Sequence, residues 1–347
     1  MKQAVFHGPA NIGGIGRYTA DWQRKHGFIS DFITYQENPL IPNSHVCLHL
    51  DNYNRISRQI IRLLFFILCL HKYKIFNFYF GITFYKTNID LPILKLFRKK
   101  VIMTYCGSDI RLIEVEHTRN PYSHLLKIGI DDPKYDFIKK LRMRWQCIWI
   151  NKVLAPRNLY AYAREVFPEK KIIKDIWIHN SLELSKDQSN KYKLKSPPVI
   201  VHAPSAKLIK GTKYVERAID VLKSKGYKFE YKCLNNIGND QVKKILKEEA
   251  DIILDQFLLG GFGTFAIEAM SYGKPVVGYL LESVKEQHYP DCPIVNATID
   301  NLPQVLESLL KNPVRMAQLG SEGRIFAKKN VDRDILNKKL LDIYNDL

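Results

Sequence analysis

Short runs of apolar and β-branched residues alternate with stretches of helical periodicity along the whole chain. The runs in the first half predict six strands and a further extended segment, at 3–7, 28–35, 44–50, 75–80, 100–105, 152–155 and 172–178. Apolar positions at helical spacing predict helices between them, such as 15–26 and 55–70. The alternation restarts after two prolines and predicts strands at 199–203, 228–234, 251–256 and 275–279.

Strands that alternate with helices in this way are typical of parallel βαβ units. The sequence therefore predicts an α/β protein with two Rossmann-like, doubly wound parallel-sheet domains. We expect an N-terminal domain over 1–180, a linker rich in Ser, Lys and Asn over 181–196 and a C-terminal domain over 197–331. A final amphipathic helix over 332–347 is expected to pack back on the N-terminal domain. Because ligands of such sheets bind at the carboxyl ends of the strands, an interdomain cleft is the expected ligand site.

The longest apolar run, LLFFILCL over 63–70, has eight residues and is too short to cross a bilayer, which needs about 20. It predicts a buried helix face. The chain start lacks the layout of a signal peptide. Six cysteines lie scattered without CxxC spacing, which favours reduced thiols and a cytoplasmic protein.

The net charge of the chain favours anionic partners. The 347 residues hold 53 Lys+Arg against 35 Asp+Glu, a formal charge of +18. The chain has no RNP, zinc-finger or helix-turn-helix pattern, so we expect no nucleic-acid partner. Aromatic and basic residues mix over 58–74 and 139–149, where an anionic membrane surface is the favoured partner. Ordinary solvated lysines are the alternative.

The segment 255–277, DQFLLGGFGTFAIEAMSYGKPVV, gives the most specific indication of a ligand site. A strand ends in a loop with Gly260, Gly261 and Gly263, and a helix begins at once with Thr264 and Phe265. Small residues let backbone N–H groups approach a ligand, and a helix start carries partial positive charge. This arrangement favours a diphosphate.

One turn into the same helix, the carboxylate of Glu268 is placed to accept both hydroxyls of a ribose. A second strand end, HAPSAKLIKGT over 202–212, carries Lys207 and Lys210 in a loop before Gly211 and a helix. Two cations three residues apart suit the negative charge that grows on a leaving diphosphate.

Two further strand ends belong to the first half. The segment HGPANIGGIGRY holds Gly13 and Gly14 between a strand and a helix, but its glycines do not fall in the G-x-G-x-x-G register of a dinucleotide site. The segment YCGSDIR places Cys106, Ser108, Asp109 and Arg111 at the end of a strong strand. Asp109 either orients an acceptor or caps the following turn.

Together these segments resemble glycosyltransferase family 4 (group 1), retaining enzymes of the GT-B fold. The family's donor loop, E-x7-E followed by A-M-x-x-G-x-P-V, is matched by Glu268, Ala269, Met270, Gly273, Pro275 and Val276. Gly260 stands at the position of the first glutamate, for which Asp255 is a conceivable substitute or simply a strand-end core residue. Lys210-Gly211 and the segment 105–111 also resemble family motifs.

The resemblance implies a hexosyltransferase-type enzyme with a nucleotide-diphosphate sugar as co-substrate and neither a cofactor nor a metal. It implies catalytic roles for Asp109, Lys210 and Glu268. Donor contacts are implied for Gly13, Gly14, Lys207, Lys210, Gly261, Gly263, Thr264, Phe265 and Glu268, and acceptor contacts for Cys106, Ser108, Asp109 and Arg111.

The implied acceptor is a glycan or lipid-linked molecule of bacterial surface polysaccharide synthesis, such as O-antigen, capsule or lipopolysaccharide. The implied location is the cytoplasm, with peripheral attachment to the inner face of the membrane. Three alternatives stay open: a GT-B sugar-nucleotide epimerase, a non-catalytic sugar-nucleotide or glycan-binding module, and a Rossmann dehydrogenase.

Overall fold

The structure, a computed structural model, describes residues 3–39, 41, 43–123, 133–176 and 195–347. The chain divides into two compact units. Unit 1 comprises Met1–Val115, Pro133–Ser181 and Arg333–Leu347, and unit 2 comprises Glu116–Asp132 and Leu182–Asp332. Most of the expected linker, 181–194, and the end of the extended segment, 177–178, lie outside the described residues.

The apolar runs of the first half form one parallel sheet in unit 1. Its seven strands are β1 (Ala4–Gly8), β2 (Ile29–Thr34), β3 (Val46–Cys47), β4 (Ile75–Tyr79), β5 (Lys100–Thr104), β6 (Lys152–Leu154) and β7 (Ile172–Ile173). Their order is β3-β2-β1-β4-β5-β6-β7, and every neighbouring pair is parallel. The order reverses direction between β1 and β4, the point at which doubly wound sheets bind ligands.

Helices cover both faces of this sheet. They are α1 (Ile15–Lys25), α2 (Arg55–Lys72), α3 (Leu91–Leu96), α5 (Pro133–Trp149) and α6 (Tyr160–Arg164), with 3-10 turns at Leu50–Asn52 and Glu169–Lys171. The helix α4 (Ile113–Arg119) begins in unit 1 and ends in unit 2. One face packs the buried side chains of α2, α3 and α5 in an aromatic-rich core that contains Phe6, Phe76 and Phe78. The opposite face packs α1 around Ile15.

The second parallel sheet belongs to unit 2. Its strands are β8 (Val199–His202), β9 (Glu230–Cys233), β10 (Ile252–Leu254), β11 (Val276–Gly278) and β12 (Val295–Asn296), in the order β12-β11-β10-β8-β9. The helices are α7 (Lys207–Lys210), α8 (Thr212–Ser224), α9 (Asn239–Glu248), α10 (Thr264–Ser271), α11 (Glu282–His288), α12 (Leu302–Leu310) and α13 (Pro313–Val331). The α/β fold with two parallel sheets agrees with the sequence prediction.

The last helix, α14 (Arg333–Asn345), belongs to unit 1. Its Leu340 and Tyr344 are buried in the same cluster as Ile15 of α1. Asp334, in its first turn, accepts a hydrogen bond from the Nε1 of Trp22. A buried apolar stripe and a polar anchor therefore fix α14 against α1.

One prediction about the first half is correct for only one side of a helix, on which Phe66 and Cys69 are buried and Phe65 and Leu70 pack against the core. The run 63–70 was expected to form a buried helix face, yet Phe66 and Cys69 are the only buried side chains of α2. Leu63, Leu64 and Leu68 are 50%, 56% and 67% exposed. The helical period explains this, because a single narrow stripe of α2 points at the sheet and the other apolar positions turn outward. Within the described ranges, no helix is long and apolar enough to span a membrane.

Candidate functional site

The strand-to-helix loop of unit 2 is held together by Asp255, which directly follows β10. Its Oδ2 accepts the backbone N–H of Gly263 at 2.7 Å, and its Oδ1 lies 3.7 Å from the Nζ of Lys210. The side chain of Asp255 is almost fully buried, at 2% exposure. One carboxylate thus connects the end of β10, the N-cap of α10 and the ammonium group of α7.

Lys210 is fixed by more than this ion pair. Its Nζ also donates to the Oε1 of Gln256, and the Nε2 of Gln256 donates to the carbonyl of Gly261. The carbonyl of Lys210 accepts the N–H of Phe257 at 3.1 Å. The structure therefore brings together three predicted site residues, Lys210, Gly261 and Gly263, at the start of α10.

Glycine at position 263 leaves the room that this arrangement needs. A Cβ there would lie 3.0 Å from the Nζ of Lys210 and 3.4 Å from the Oδ1 of Asp255. Thr264 and Phe265, both partly buried, follow in the first turn of α10, where backbone N–H groups have no intrahelical acceptor. The helix start therefore combines N–H donors, a cation and space.

Gly260 is needed for a different reason, its left-handed backbone conformation. Its φ is +59°, in the left-handed region, and a Cβ would lie 2.5 Å from the Cγ of Leu281. A glutamate at this position would be strained and would collide with Leu281. The loop geometry thus favours glycine at this position.

Glu268 lies in the second turn of α10, beside α9. Its side chain is buried, with the residue 3% exposed, and burial raises its pKa to about 7, against which the charge of Lys243 on α9 acts. The carboxyl group therefore keeps its proton to a higher pH than an exposed glutamate does. Lys210 stands at the start of α10 beside Asp255, whereas Glu268 lies further along the helix beside α9.

The two lysines of the 207–212 segment lie on a single helical turn, not in the predicted loop. Lys207 begins α7 and is exposed, while Lys210 ends it and is partly buried. Residues three apart lie on one side of a helix, so both side chains leave the same side of this turn. Gly211, with φ +79°, ends this turn in the left-handed conformation before α8 begins.

His202 is a positioning residue that the sequence analysis did not single out. Its Nδ1 lies 2.9 Å from the carbonyl of Leu254 and its Nε2 lies 3.0 Å from the Oγ1 of Thr212. Burial lowers its pKa, so the ring is neutral at pH 7. His202 therefore links β8, β10 and α8. Its position near the end of a predicted strand is the sequence feature that could have identified it.

In unit 1, Asp109 contacts its own loop. Its Oδ1 accepts the backbone N–H groups of Cys106 at 3.0 Å and Gly107 at 2.7 Å. The residue is 3% exposed, and burial raises the pKa of its carboxyl to about 6. The carboxylate caps the turn that precedes it, not the turn that follows.

The other predicted acceptor residues surround the same turn. Cys106 is partly buried, and burial raises the pKa of its thiol well above the usual range, which favours the protonated thiol. Ser108 is exposed and Arg111 is partly buried. A Cβ at Gly107, whose φ is +148°, would lie 3.7 Å from the Nη2 of Arg111. The four residues therefore share one small loop after β5.

The loop after β1 places Gly13 and Gly14 at the start of α1. Both have left-handed backbones, with φ of +60° and +72°. A Cβ on Gly13 would meet nothing within 4 Å, whereas one on Gly14 would lie 2.7 Å from the Nδ2 of Asn43. Gly13 therefore faces open space, and Gly14 is required by packing.

A buried polar network beneath this loop was not predicted. His7, on β1, lies 2.7 Å from the hydroxyl of Tyr79 and 3.0 Å from the Oε1 of Gln23. The Nε2 of Gln23 in turn donates to the hydroxyl of Tyr344, at 3.4 Å. Burial lowers the pKa of His7 to about 4, so the ring is neutral. The network joins β1, β4, α1 and α14.

Solved structures share this architecture over the full chain. Sucrose-phosphate synthase from Thermosynechococcus elongatus has a TM-score of 0.67 at 11% identity, covering 100% of this chain and 99% of that chain. HepE from Anabaena in complex with UDP-glucose has a TM-score of 0.65 at 12% identity, covering 100% of both chains. WaaG, a glycosyltransferase involved in lipopolysaccharide biosynthesis, has a TM-score of 0.61 at 12% identity, covering 98% of this chain and 99% of that chain.

At these identities the likeness establishes the fold. No family model matches this sequence, and no curated protein sequence matches it. The two parallel sheets flanked by helices are those of the GT-B glycosyltransferases to which the chain is similar. The predicted fold class is therefore confirmed: the chain has the GT-B fold.

Proposed function

We propose that this chain is a retaining glycosyltransferase of family 4 that moves a sugar from a nucleotide-diphosphate sugar to a glycan or lipid-linked acceptor. In this proposal unit 2 binds the donor and unit 1 binds the acceptor. The observation that carries it is the position of Lys210, which Asp255 and Gln256 hold at the glycine-flanked start of α10. HepE, which shares the fold, binds UDP-glucose.

The proposed diphosphate site uses charges that are already in place. A pyrophosphate at the start of α10 would meet the N–H groups of Thr264 and Phe265 and the ammonium groups of Lys210 and Lys207. Asp255 accepts the N–H of Gly263 and lies near Lys210, so it fixes both groups before a ligand arrives. Preorganised donors of this kind stabilise charge on a leaving group without reorganisation.

The ribose is proposed to bind at Glu268. An ionised carboxylate accepts hydrogen bonds from two vicinal hydroxyls, whereas a protonated one accepts less well. Because burial raises the pKa of Glu268 to about 7, ribose binding would favour loss of its proton. The site is therefore proposed to couple donor binding to proton release.

The proposed reaction is a same-face substitution at the anomeric carbon. The bond from this carbon to the diphosphate oxygen breaks, and a bond to the acceptor hydroxyl oxygen forms. The leaving diphosphate takes the acceptor proton and departs as a nucleoside diphosphate, stabilised by Lys207, Lys210 and the start of α10. No metal ion takes part in this scheme, since the lysines and the helix start neutralise the developing charge.

We propose that the loop after β5, which holds Asp109 and Arg111, orients the acceptor hydroxyl. A role in surface polysaccharide synthesis is supported by the shared fold with WaaG, a lipopolysaccharide glycosyltransferase. The charge of +18 favours an anionic glycan or a membrane-borne acceptor over a neutral small molecule. We propose the cytoplasmic face of the membrane as the place of action.

The test is transfer from a panel of UDP-, GDP- and ADP-sugars, read as release of the free nucleotide and as labelled glycan. Lys210→Ala is expected to lower the rate by about a hundredfold or more, the usual cost of removing one oxyanion donor. Lys213→Ala, an exposed lysine in the next helix, is the matched control and should leave the rate unchanged.

The remaining alternatives give different products in the same assay. Sugar-nucleotide isomer formed without acceptor would identify an epimerase. Nucleotide-sugar binding without any nucleotide release would identify a non-catalytic binding module. Either product pattern would replace the proposed transfer.

A further inference from the structure

A groove with a volume of about 580 Å³ opens in unit 1 between the start of α2 and the loop that follows β4. Four of the side chains that line it are cations: Arg55, Arg58, Arg62 and Lys86. The loop follows the carboxyl end of β4, and this edge of a parallel sheet is the one at which ligands bind. The volume is that of a small-molecule site. We call this cavity the basic groove.

The positive charge of the basic groove is not compensated by carboxylates. Its lining contains no acidic side chain. Within the described ranges, none of its four cations forms an ion pair with Asp or Glu. Asp90, in the loop after β4, instead accepts hydrogen bonds from the Oγ1 of Thr83 at 2.6 Å and from the N–H of Phe84 at 3.2 Å. The basic groove therefore favours an anionic ligand.

Arg62 is held in position without being neutralised. Its Cζ lies 5.2 Å from the ring centroid of Tyr35 and 5.6 Å from that of Tyr85. The hydroxyl of Tyr35 donates to the carbonyl of Phe84 at 3.0 Å, which anchors this ring in the loop. Among the residues that the structure describes, the guanidinium has one hydrogen-bond acceptor, the Oε1 of Gln59, at 3.2 Å from Nη1. Arg62 therefore presents a fixed planar cation with donor capacity left for a ligand.

Arg58 fixes the wall of the basic groove at the start of α2. Its Nε donates to the carbonyl of Leu50 at 2.9 Å, and its Nη2 donates to the carbonyl of Tyr53 at 3.1 Å. These acceptors carry no net charge, so Arg58 keeps its positive charge in the groove. The helix start is capped by Asn54, whose Oδ1 accepts the N–H of Ser57 at 2.9 Å. The wall is therefore preorganised.

Helix α5 connects the basic groove to the loop after β5. The Nε2 of Gln146 donates to the carbonyl of Gly81 at 3.0 Å and to the Oδ1 of Asn88 at 2.9 Å, which holds both ends of the loop after β4. Arg142, one turn earlier on α5, donates from its Nη2 to the carbonyl of Asp109. One helix thus supports the groove and the proposed acceptor loop at the same edge of the unit 1 sheet.

The chemistry of the basic groove selects a phosphorylated sugar. A phosphate group carries a charge of about −2 and several acceptor oxygens, which suit clustered cations better than a single carboxylate does. The amide of Gln59 and the hydroxyl of Thr87, which also line the groove, suit sugar hydroxyls. Arg62 lies on the same side of α2 as the buried Phe66, whereas the exposed Leu64 points the opposite way. A flat lipid surface seated on the exposed leucines would therefore face away from the groove.

We propose that the basic groove binds the phosphate group of a phosphorylated sugar. Arg62 provides the fixed guanidinium, and Arg55 and Lys86 provide further positive charge. The inference rests on the proposed function in one respect, because the bound sugar is then a unit of the acceptor glycan that reaches the loop of Asp109. Binding is measured without sugar transfer and in unit 1, whereas the proposed donor site belongs to unit 2. The two proposals therefore fail separately.

The first test is equilibrium dialysis of the full chain against labelled glucose 6-phosphate, inorganic phosphate and glucose at one ionic strength. Glucose 6-phosphate is expected to bind more tightly than inorganic phosphate, because only the sugar phosphate also contacts the polar lining. Glucose alone should not bind. Equal affinity for glucose 6-phosphate and inorganic phosphate would assign the groove to a free anion and overturn the proposal.

Two pairs of charge substitutions locate the site. Arg55→Gln combined with Lys86→Gln should weaken glucose 6-phosphate binding about tenfold or more, the order expected for a charged hydrogen bond. Both side chains are exposed, so the fold should be retained. Lys25→Gln combined with Lys95→Gln removes two exposed charges of unit 1 outside the groove and is the matched control. Equal weakening by the two pairs would show general charge attraction and contradict the proposal.

Arg62→Lys distinguishes a built site from a patch of charge. It keeps the positive charge but loses the planar guanidinium over Tyr35 and Tyr85, so glucose 6-phosphate should bind more weakly. An unchanged melting temperature shows that the variant is folded, and unchanged affinity would overturn the proposal. Binding that is lost in Lys210→Gln but kept in Arg55→Gln with Lys86→Gln would place the sugar phosphate at the donor site, which also overturns it.

Discussion

The carboxylate of Asp255 accepts the backbone N–H of Gly263 at 2.7 Å, so the end of β10 and the start of α10 are joined by one hydrogen bond. The same carboxylate lies 3.7 Å from the Nζ of Lys210. A buried carboxylate placed there connects a cation to a helix start, and Gln256 holds the same cation from a second side. In the proposed function, this is the group that prepares the diphosphate site.

Gly260 provides a test of the loop geometry. Gly260→Ala should destabilise unit 2 by more than the about 1–2 kcal/mol of a left-handed backbone alone, because its Cβ would also strike Leu281. Urea unfolding measures the loss. Gly226→Ala is the control, since Gly226 has φ of +82° but open space around its Cβ. Equal destabilisation by the two substitutions would show that contact with Leu281 contributes nothing.

Glu268 should make stability depend on pH. Its pKa is raised from 4.5 to about 7 by burial, so the neutral form stabilises the folded state. This stability is fully present below pH 4.5 and is lost as the pH rises through about 7. Glu268→Gln keeps a neutral side chain and should exceed the wild type by on the order of 3 kcal/mol above that pH, at about 1.4 kcal/mol per pKa unit. Urea unfolding of both proteins across the pH range tests this. The same pH dependence of the free energy of unfolding in wild type and variant would contradict it.

Donor binding should release a proton from the same group. The ionised carboxylate accepts the ribose hydroxyls, so a bound nucleotide should lower the pKa of Glu268 from about 7. Calorimetry near neutral pH, in buffers of different ionisation enthalpy, measures the number of protons released. Glu268→Gln should abolish the release. Identical release by wild type and variant would assign the proton to another group.

Two substitutions distinguish the possible roles of Asp109, which are to support its own loop and to orient the acceptor. Asp109→Asn keeps an oxygen that accepts the N–H groups of Cys106 and Gly107, so stability should hardly change. Asp109→Ala leaves those donors without an acceptor and should cost about 1–3 kcal/mol. If Asp109 orients the acceptor, transfer falls in both variants. Transfer that survives in Asp109→Asn would limit the residue to supporting the loop.

Much of the fold was predictable because the strands are short and apolar and the helices are periodic. Strand β5 was predicted at 100–105 and is observed at Lys100–Thr104, and α1 was predicted at 15–26 and is observed at Ile15–Lys25. Strand β12, Val295–Asn296, was not predicted, because two residues carry no periodic pattern. Its pairing with β11 is a tertiary property.

Features that depend on three-dimensional packing were harder to predict from the sequence. Periodicity shows that α2 is helical, but it does not show how wide a stripe the sheet can cover, so the exposure of Leu64 and Leu68 was missed. The glycine loop was found from residue types alone. The position of the Asp255 carboxylate over Gly263 depends on the backbone path of eight residues, which no local pattern specifies.

The most direct test of the central claim is the dissociation constant of nucleoside diphosphates for wild type and Lys210→Gln, after a thermal-shift screen with UDP, GDP, ADP and CMP. A nucleotide that binds the folded state raises the melting temperature. The account predicts that at least one nucleoside diphosphate binds and that Lys210→Gln weakens it about tenfold or more, the order expected for a charged hydrogen bond. Equal affinity for both proteins, or no shift with any of these nucleotides, would contradict it.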